Sequence, residues 1–428
     1  MKFFKKNLLG LSRTLLISIL VLTSCSSSEI NDNDPDPDPN PEEETFLPDW
    51  QEGYLDIHHI ATGLGDVTFI IFPDGTTMLV DAGDRGNDVN NGTPPLPSNS
   101  KSAGEWIADY IKHFSDNGHI SSKLDYVLIT HFHGDHIGNT NTAIKGSNGY
   151  NLSGITMVGE HIPIGTLIDR GWPDYSFPSR STTESSAGGF WNDYYAFINY
   201  IKDNKGATIE KFSVGSNSQI GLKNNPTAYP GFKVQNLYAN GVIWTGNEGV
   251  NKTLYTAATK PDENMNSCAI KLTYGAFSYF AGGDVPGYNH SQYASDERDI
   301  EKELALITGR TTVLKANHHG WIDSTNPIFL QALMPEAIVI LVNHIQHPHS
   351  SGLARMVDPL IYEGERLLFI TSLSDGQEKL LGSAANVFKP SGHIVFRAYD
   401  GGAKYKSYVL DATSKSYPIL YESKEITP

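Results

Sequence analysis

The chain has 428 residues, of which 39% are hydrophobic, and its 32 Lys and Arg against 48 Asp and Glu give a formal net charge of −16. A chain of this length can bury a sizeable core. Its acidity, with no clustered run of Lys and Arg, argues against nucleic acid as a partner, because such a surface repels polyanions.

The first 24 residues have the composition of a secretory signal peptide. Four basic residues are followed by an apolar run at 15–22 that is too short to cross a bilayer. The segment Leu22-Thr23-Ser24-Cys25 resembles a bacterial lipobox, which implies cleavage before Cys25 and a lipid on its sulfur. We therefore expect the lipid to hold the protein to the outer membrane of the cell envelope, facing either the periplasm or the outside. The alternative is an ordinary signal peptide in which Cys25 is incidental.

Residues 25–48 are acidic, rich in proline and nearly free of apolar side chains, so we expect a disordered tether there. From 49 to 428 the pattern alternates between strands and helices and predicts one large α/β domain. The other cysteine, Cys268, lies in an apolar segment of this domain and is expected to be a buried hydrophobic residue.

The domain begins with a run of short elements. We predict strands at 56–60, 68–72 and 77–80 and a helix at 103–114. Asp81 follows the third strand directly, and Asp66 lies in a Gly-rich turn before the second. Each is a candidate for orienting a metal-binding histidine by a hydrogen bond, or else a turn aspartate.

Four candidate metal ligands follow the next predicted strand, at 126–130. They are His131, His133, Asp135 and His136, all within six residues. Imidazole and carboxylate groups suit Zn²⁺, with Mn²⁺ or Fe as alternatives where oxygen ligands are more numerous. Because strand ends in layered α/β folds meet at one rim of the sheet, we expect a metal site there. The alternative is a polar turn that happens to be rich in histidine.

The middle of the domain is less regular. We predict a short helix at 141–145, a strand at 155–158, a long loop at 171–189, a helix at 190–202 and a second long loop at 240–264. Aromatic and acidic residues of the second loop, Trp244 and Glu263 among them, either receive a cationic group or serve as packing and solvated residues.

In the last part of the chain, predicted strands are again followed by polar motifs. We predict a hairpin at 267–272 and 276–281 leading to Asp284, a helix at 299–307, a strand at 312–316 leading to His318 and His319, a strand at 337–342, a helix at 353–363, a strand at 367–371 and a closing hairpin at 392–399 and 405–411.

The segment His131-Phe132-His133-Gly134-Asp135-His136 matches the HxHxDH signature of the metallo-β-lactamase superfamily. The segments 54–83, 266–267, 282–284 and 314–320 resemble further motifs of that superfamily in the same order. They are similar to the branch that includes the catalytic domain of the competence DNA-uptake protein and bacterial phosphorylcholine esterases. The resemblance covers residues 54 to 411 and implies an αββα sandwich of two mixed β-sheets flanked by helices.

The resemblance also implies a site for two ions, zinc first. It assigns His131 and His133 to one ion, Asp135 and His136 to the other, and Asp284 to both. One histidine of the pair His318-His319 would complete the second ion. We predict His319 as this ligand and His318 as a substrate or leaving-group contact, because adjacent residues at a strand end point in opposite directions. Asp135 and His318 are thus the predicted catalytic residues.

The chain departs from the family pattern at the remaining ligand of the first ion. The family has a histidine tens of residues after the HxHxDH loop, in a region where this chain has Gly215-Ser216-Asn217-Ser218. His161 is the one histidine between His136 and Asp284. It is the missing ligand, a substrate contact or a rim histidine with other partners. His347-Pro348 resembles a His-Pro pair that the same branch carries after its last β-strand. His347 either reaches the pocket or is structural.

Three functions are compatible with these observations. The first is a phosphodiesterase or phosphoesterase that directs a metal-activated hydroxide at a small or envelope-linked ester outside the inner membrane. The second is a lactonase or other ester hydrolase of the same superfamily, although the motif His318-His319-Gly320 argues against a true β-lactamase. The third is a non-enzymatic surface-binding lipoprotein with a degenerate metal site, which the absent central histidine would favour.

Overall fold

The computed structural model describes residues 44–63, 65–85, 94–115, 120, 122–141, 143–287 and 298–428. The predicted signal peptide, Cys25 and all but the last five residues of the predicted tether lie outside the described residues. Those five residues, 44–48, pack on the folded unit, which extends to Pro428. The carbonyl of Thr45 accepts a hydrogen bond from Ile419 N (2.8 Å), and that of Pro48 accepts one from Arg397 Nη1 (2.7 Å).

The strands are β1 Leu55–His59, β2 Thr68–Ile71, β3 Thr77–Val80, β4 Leu124–Leu128, β5 Ile144–Lys145, β6 Asn151–Leu152, β7 Ile164–Asp169, β8 Thr208–Lys211, β9 Phe232–Ala239, β10 Val242–Trp244, β11 Asn251–Thr253, β12 Ala269–Tyr274, β13 Phe277–Ala281, β14 Val313–Lys315, β15 Ala337–Ile340, β16 Leu367–Ile370, β17 His393–Tyr399, β18 Lys404–Leu410 and β19 Ile419–Glu422. The helices are α1 Ala103–Ser115, α2 Gly134–Ile137, α3 Gly154–His161, α4 Arg180–Ser186, α5 Trp191–Lys205, α6 Ile300–Thr308, α7 Pro327–Leu333, α8 Ser350–Val357 and α9 Asp375–Leu381.

Two large mixed sheets contain most of these strands. The first has the order β19-β18-β17-β1-β2-β3-β4-β7-β8 and the second the order β11-β10-β9-β12-β13-β14-β15-β16. Each sheet has an antiparallel half and a parallel half, the latter formed by β3-β4-β7-β8 in the first and β13-β14-β15-β16 in the second. The strands β5 and β6 pair separately.

Three apolar layers hold the sheets and helices together. Side chains from both sheets, such as Ile57 and Tyr279, form the middle layer. The other face of the first sheet packs on α1, α3 and α5, and the other face of the second sheet packs on α6, α7 and α8. Successive residues of one strand alternate between layers: Val339 of β15 lies in the middle layer, whereas Ile338 lies under the helices. The protein is therefore α/β, with two mixed sheets flanked by helices, as predicted.

Most predicted elements agree with the structure to within three residues, but two predictions of element type are wrong. Residues 155–158 belong to the helix α3, which begins with a capping box: Ser153 N donates to Thr156 Oγ1 (2.9 Å). Residues 141–145 do not form a helix, because Ile144–Lys145 pairs with β6. The loop at 171–189 contains α4, and the loop at 240–264 contains β10 and β11.

The helix predicted at 353–363 begins and ends earlier, as α8. Its first turn is capped by His349, whose side chain accepts a hydrogen bond from Ser351 N (3.2 Å). Among the described residues, no helix is long and apolar enough to cross a membrane. Cys268 is fully buried between the sheets, as predicted from its apolar surroundings.

Candidate metal centre

The ends of β4, β13 and β14 meet where the two sheets face each other. The link between the sheets is direct, because Cys268 N donates to the carbonyl of Thr130 (2.9 Å). His318 N donates to Gly283 O (3.2 Å), which joins the loops after β13 and β14. The three polar motifs that follow these strands therefore share one rim, as expected for the strand ends of a layered α/β fold.

The ligands predicted for the second ion lie together around Asp284. Its Oδ2 is 3.3 Å from His136 Nε2 and 3.3 Å from His319 Nε2. Oδ2 of Asp135 is also 3.3 Å from His319 Nε2. His136, His319 and Asp284 are buried, and Asp135 is partly buried. The structure thus brings all four predicted residues to one point.

The ligands predicted for the first ion lie beside this group. His131 Nε2 is 3.1 Å from His133 Nδ1, so the two imidazoles direct nitrogen atoms at the same region. Asp284 Oδ2 is 3.8 Å from His131 Nε2. Its carboxylate is consequently close to histidines of both predicted sets, which is the placement that a bridging ligand requires.

Asp81 orients the second-ion histidine, as predicted. Its Oδ2 accepts hydrogen bonds from His136 Nδ1 (2.8 Å) and from Thr130 Oγ1 (2.7 Å), and its Oδ1 accepts one from Thr130 N (2.8 Å). A hydrogen bond at Nδ1 fixes the ring so that Nε2 faces Asp284. In the same way, the carbonyl of Leu341 binds His319 Nδ1 (2.9 Å).

Asp66 lies behind His136 and forms an ion pair with the ammonium of the buried Lys315. Its ligand oxygen lies within 4.8 Å of the nearest ligand atoms of His136, Asp284 and His319, so proximity alone would include it in the metal set. The contact to His136 is made at Nδ1, however, on the side of the ring away from Asp284 (3.9 Å). Since Lys315 also donates to Gly283 O (3.2 Å), we assign Asp66 and Lys315 to positioning the loop after β13.

The donor set fits a divalent metal. Among the described residues, His136 Nε2 and Asp284 Oδ1 are buried without a hydrogen-bond partner, a costly arrangement for polar atoms unless a ligand satisfies them. Burial alone would lower the pKa of His319, but Asp284 and Asp135 raise that pKa to about 9. Burial likewise opposes a charge on His136, yet Asp284 and Asp81 hold its pKa well above the usual value. The excess negative charge that causes these shifts is what a cation would neutralise.

His318 lies beside the ligands without joining them. Its Nδ1 binds Asp323 Oδ1 (2.6 Å) and its Nε2 is 3.1 Å from Asn264 Nδ2. Both histidines of the pair have left-handed backbone, with φ of 45° for His318 and 53° for His319. Such a conformation costs about 1–2 kcal/mol per residue, and the surrounding loop must supply that energy. His318 faces the open pocket, whereas His319 is buried in the cluster.

His161 is not brought to the cluster, which corrects its prediction as a metal ligand. Residues 154–161 form a helix instead of a strand, and His161 ends it as an exposed side chain. It lines a separate cavity of about 250 Å³ with Tyr150 and Tyr200, and no residue of the cluster lines that cavity.

A buried ion pair lies behind the two histidines predicted for the first ion. Arg170, directly after β7, binds Glu263 through Nε (2.8 Å) and Nη2 (2.6 Å). Glu263 Oε1 also accepts a hydrogen bond from Phe132 N (3.0 Å), and the guanidinium carbon lies 4.6 Å from the centre of the Phe132 ring. The cationic group that Glu263 binds is therefore the Arg170 guanidinium, and the same carboxylate holds the backbone between His131 and His133.

Two residues near the second ion's ligands follow the strand β15. Asn343 Nδ2 lies 3.1 Å from His319 Nε2 and also contacts Asp135 Oδ2. Its position directly after a buried strand is the signal by which sequence reasoning could have found it. His347 is buried, with its ring stacked on that of His319 at 4.9 Å, so this histidine of the His-Pro pair does reach the pocket.

The cluster opens into a pocket of about 460 Å³. Its walls come from the loop after β3, the HxHxDH loop, the loop before β12 and the loops after β13, β14 and β15. Arg85, Asn264 and Trp321 contribute side chains that sequence reasoning did not single out.

No family model and no curated protein matches this chain. Among solved structures it is similar to the crystal structure of CmlA, a diiron beta-hydroxylase from Streptomyces venezuelae, with 12% identity over 70% of this chain and 46% of CmlA, at a TM-score of 0.33. It is also similar to human tRNase Z, short form, with 9% identity over 66% of this chain and 91% of that protein, at a TM-score of 0.28. The matched region is thus about half the length of CmlA. The two-sheet architecture itself is established by the strand order and layers of this chain.

Proposed function

We propose that the protein is a metal-dependent hydrolase of phosphoric esters. The observation that carries this proposal is the buried cluster in which His136 Nε2 and Asp284 Oδ1 make no hydrogen bond to the described residues. His131 and His133 would hold one ion, Asp135, His136 and His319 the other, and Asp284 both. Zinc is the first candidate, since four of these six residues donate nitrogen.

The metal would supply Lewis acidity and lower the pKa of water to near neutrality. The protein's own groups hold and orient the substrate. The pocket presents N–H donors from Asn264 and Asn343 and the ring of His318, whose Nδ1 is fixed by Asp323. Donors of this kind suit a phosphoryl group, whose oxygens are acceptors. At Nε2, His318 can hold or release the proton that a departing oxygen requires.

The proposed location follows from the lipobox. A lipid on Cys25 would place the domain outside the inner membrane, where its substrate would be a small or envelope-linked ester.

Metal analysis combined with a panel of chromogenic esters tests the function. We expect up to two ions per chain after zinc loading, turnover of a phosphomonoester or phosphodiester, and loss of turnover by about a thousandfold or more in Asp284→Asn, because both ions lose a shared ligand. His161→Ala is the matched control and should keep full metal content and rate. An Asp284→Asn protein with near-normal activity would refute the two-metal site.

The other two candidate functions give different results in the same experiment. A lactonase would turn over neutral cyclic esters and leave phosphoric esters intact. A binding protein with a degenerate metal site would turn over none of the panel. Less than about a third of an ion per chain after loading would exclude both hydrolases and favour the binding protein, because intact ligand sets bind zinc tightly at neutral pH.

A further inference from the structure

Arg85 stands between the metal pocket and a second, larger cavity. It lines the 460 Å³ pocket together with His133 and Asp135, and it also lines an adjacent cavity of about 690 Å³. Asn139 is shared by the two cavities in the same way. Arg85 forms no hydrogen bond or ion pair with the described residues, and it is half-buried. A guanidinium that none of the described residues binds is available to a ligand at such a junction.

The backbone that carries Arg85 is fastened to the metal-binding loop. Ala82 N donates to His136 O (2.9 Å) and Asp84 N donates to Gly134 O (3.1 Å). Gly83 packs so closely that a Cβ there would lie 1.8 Å from the carbonyl oxygen of Asp135. The base of the Arg85 side chain is therefore fixed relative to the ligands Asp135 and His136. A planar guanidinium held in this way suits bidentate binding of a phosphoryl group.

The other charged groups of the larger cavity have partners within the chain. Lys101 Nζ binds Asp109 Oδ2 (2.5 Å), and Glu105 Oε2 accepts hydrogen bonds from Ser102 N (2.8 Å) and Ser102 Oγ (2.9 Å). The rest of the wall combines neutral polar residues, Asn99, Ser100 and Asn141 among them, with the apolar Pro95, Ala103 and Ile144. Such a wall offers hydrogen bonds to hydroxyl groups and apolar surface to the carbon skeleton that carries them.

We propose that Arg85 binds the phosphoryl group of the substrate and that the alcohol part of the ester, a hydroxyl-bearing group, occupies the adjacent cavity. The substrate class is then a phosphoric ester of a polyhydroxylated alcohol. This inference rests on the proposed function for its chemistry and adds to it the residue that selects an anionic ester.

The test compares Arg85→Ala and Arg85→Lys with the wild-type protein, all loaded with zinc. Arg310→Ala is the control, because Arg310 is exposed, pairs with Glu336 and precedes β14, whose opposite end carries His319. For bis(4-nitrophenyl) phosphate, Arg85→Ala should raise KM about tenfold or more and Arg85→Lys less, while kcat/KM for the neutral 4-nitrophenyl acetate stays within twofold. Equal losses on both esters would overturn the role of Arg85.

A binding measurement separates this inference from the proposed function. Calorimetric titration with inorganic phosphate should give an affinity for the zinc-loaded wild type at least fivefold higher than for Arg85→Ala, whether or not any ester is hydrolysed. Equal phosphate affinities would refute the inference even if the protein is an active hydrolase.

The placement of the alcohol group in the larger cavity is tested by filling that cavity with a bulky side chain. Asn99→Trp should remove a preference for glycerol 4-nitrophenyl phosphate over ethyl 4-nitrophenyl phosphate that the wild type is expected to show. A wild type without that preference, or an Asn99→Trp variant that retains it, would refute the place of the alcohol group.

Discussion

Replacing Arg170 by Met should destabilise the fold and weaken zinc binding at the same time. Arg170 and Glu263 are both fully buried, and the carboxylate accepts N–H bonds from Arg170 Nε and Nη2 and from Phe132 N. Methionine fills much of the volume of the arginine stem but leaves Glu263 as a buried charge with one remaining donor. Since Phe132 lies between His131 and His133, any movement of Glu263 is passed to the loop that carries both imidazoles.

The expected loss can be estimated from the contacts. Removing one partner of a buried, hydrogen-bonded ion pair costs about 3–5 kcal/mol, because the other charge is left without compensation. Arg170 Nη1 also donates to Phe177 O (2.9 Å) and Asn240 Oδ1 (3.2 Å). Each of these bonds adds on the order of 1 kcal/mol. Domains are stable by about 5–15 kcal/mol, so this one still folds under the combined loss of about 5–7 kcal/mol if its stability lies above the lower end of that range. The double variant Arg170→Met/Glu263→Gln removes the isolated charge and should recover about 2 kcal/mol or more.

Urea unfolding in the presence of a chelator measures this stability without a contribution from metal, and competition with a chromophoric chelator then measures the zinc affinity. Arg180→Met is the control, because Arg180 is exposed and pairs with Glu184 on the surface of α4. Such a pair contributes less than about 1 kcal/mol. A loss below about 1 kcal/mol in Arg170→Met, or a double variant no more stable than the single one, would refute this account of the pair.

Three further predictions concern pH, ligand orientation and the anchor. Burial lowers the pKa of His393 from 6.5 to about 3, so between these values the unfolded chain binds a proton that the folded chain does not. The free energy of unfolding should therefore fall as the pH drops below 6.5. His393→Gln should reduce the slope of unfolding free energy against pH by about 1.4 kcal/mol per pH unit, measured by urea unfolding at several pH values. An unchanged slope would contradict this prediction. Asp81→Asn should lower zinc affinity about 10- to 100-fold, because His136 loses a charged hydrogen-bond acceptor, and a chelator competition giving the wild-type value would disprove that role. Cys25→Ser should release the protein from membranes or leave an uncleaved precursor, and unchanged fractionation and processing would rule out the lipobox.

The residues of the cluster could be predicted to lie together because each follows a strand whose apolar pattern is evident by itself. His131, Asp284 and His319 lie three or four residues beyond the ends of such strands, and strands that end at a common rim bring them together. The prediction that His161 is a metal ligand after a strand was wrong for a related reason. Residues 155–158 are apolar and short enough for a strand, and the deciding signal was the helix cap at Ser153, whose partner Thr156 lies inside the apolar run.

The two buried ion pairs beside the cluster, Arg170–Glu263 and Lys315–Asp66, could not be predicted in this way, because their partners lie in different sheets or loops and carry no local signal. Arg170 and Glu263 are separated by 93 residues, and Lys315 reaches Asp66 from the opposite sheet. Yet these pairs determine how the predicted ligands are spaced: Glu263 holds Phe132 on the first sheet, and Lys315 holds both Asp66 on the first sheet and Gly283 beside Asp284. The candidate ligands are thus recognisable from local sequence, whereas their spacing around Asp284 depends on contacts between the sheets. It follows that a substitution at Lys315, which binds no metal, should disturb both predicted ions together, whereas one at Asp81 should act mainly through His136.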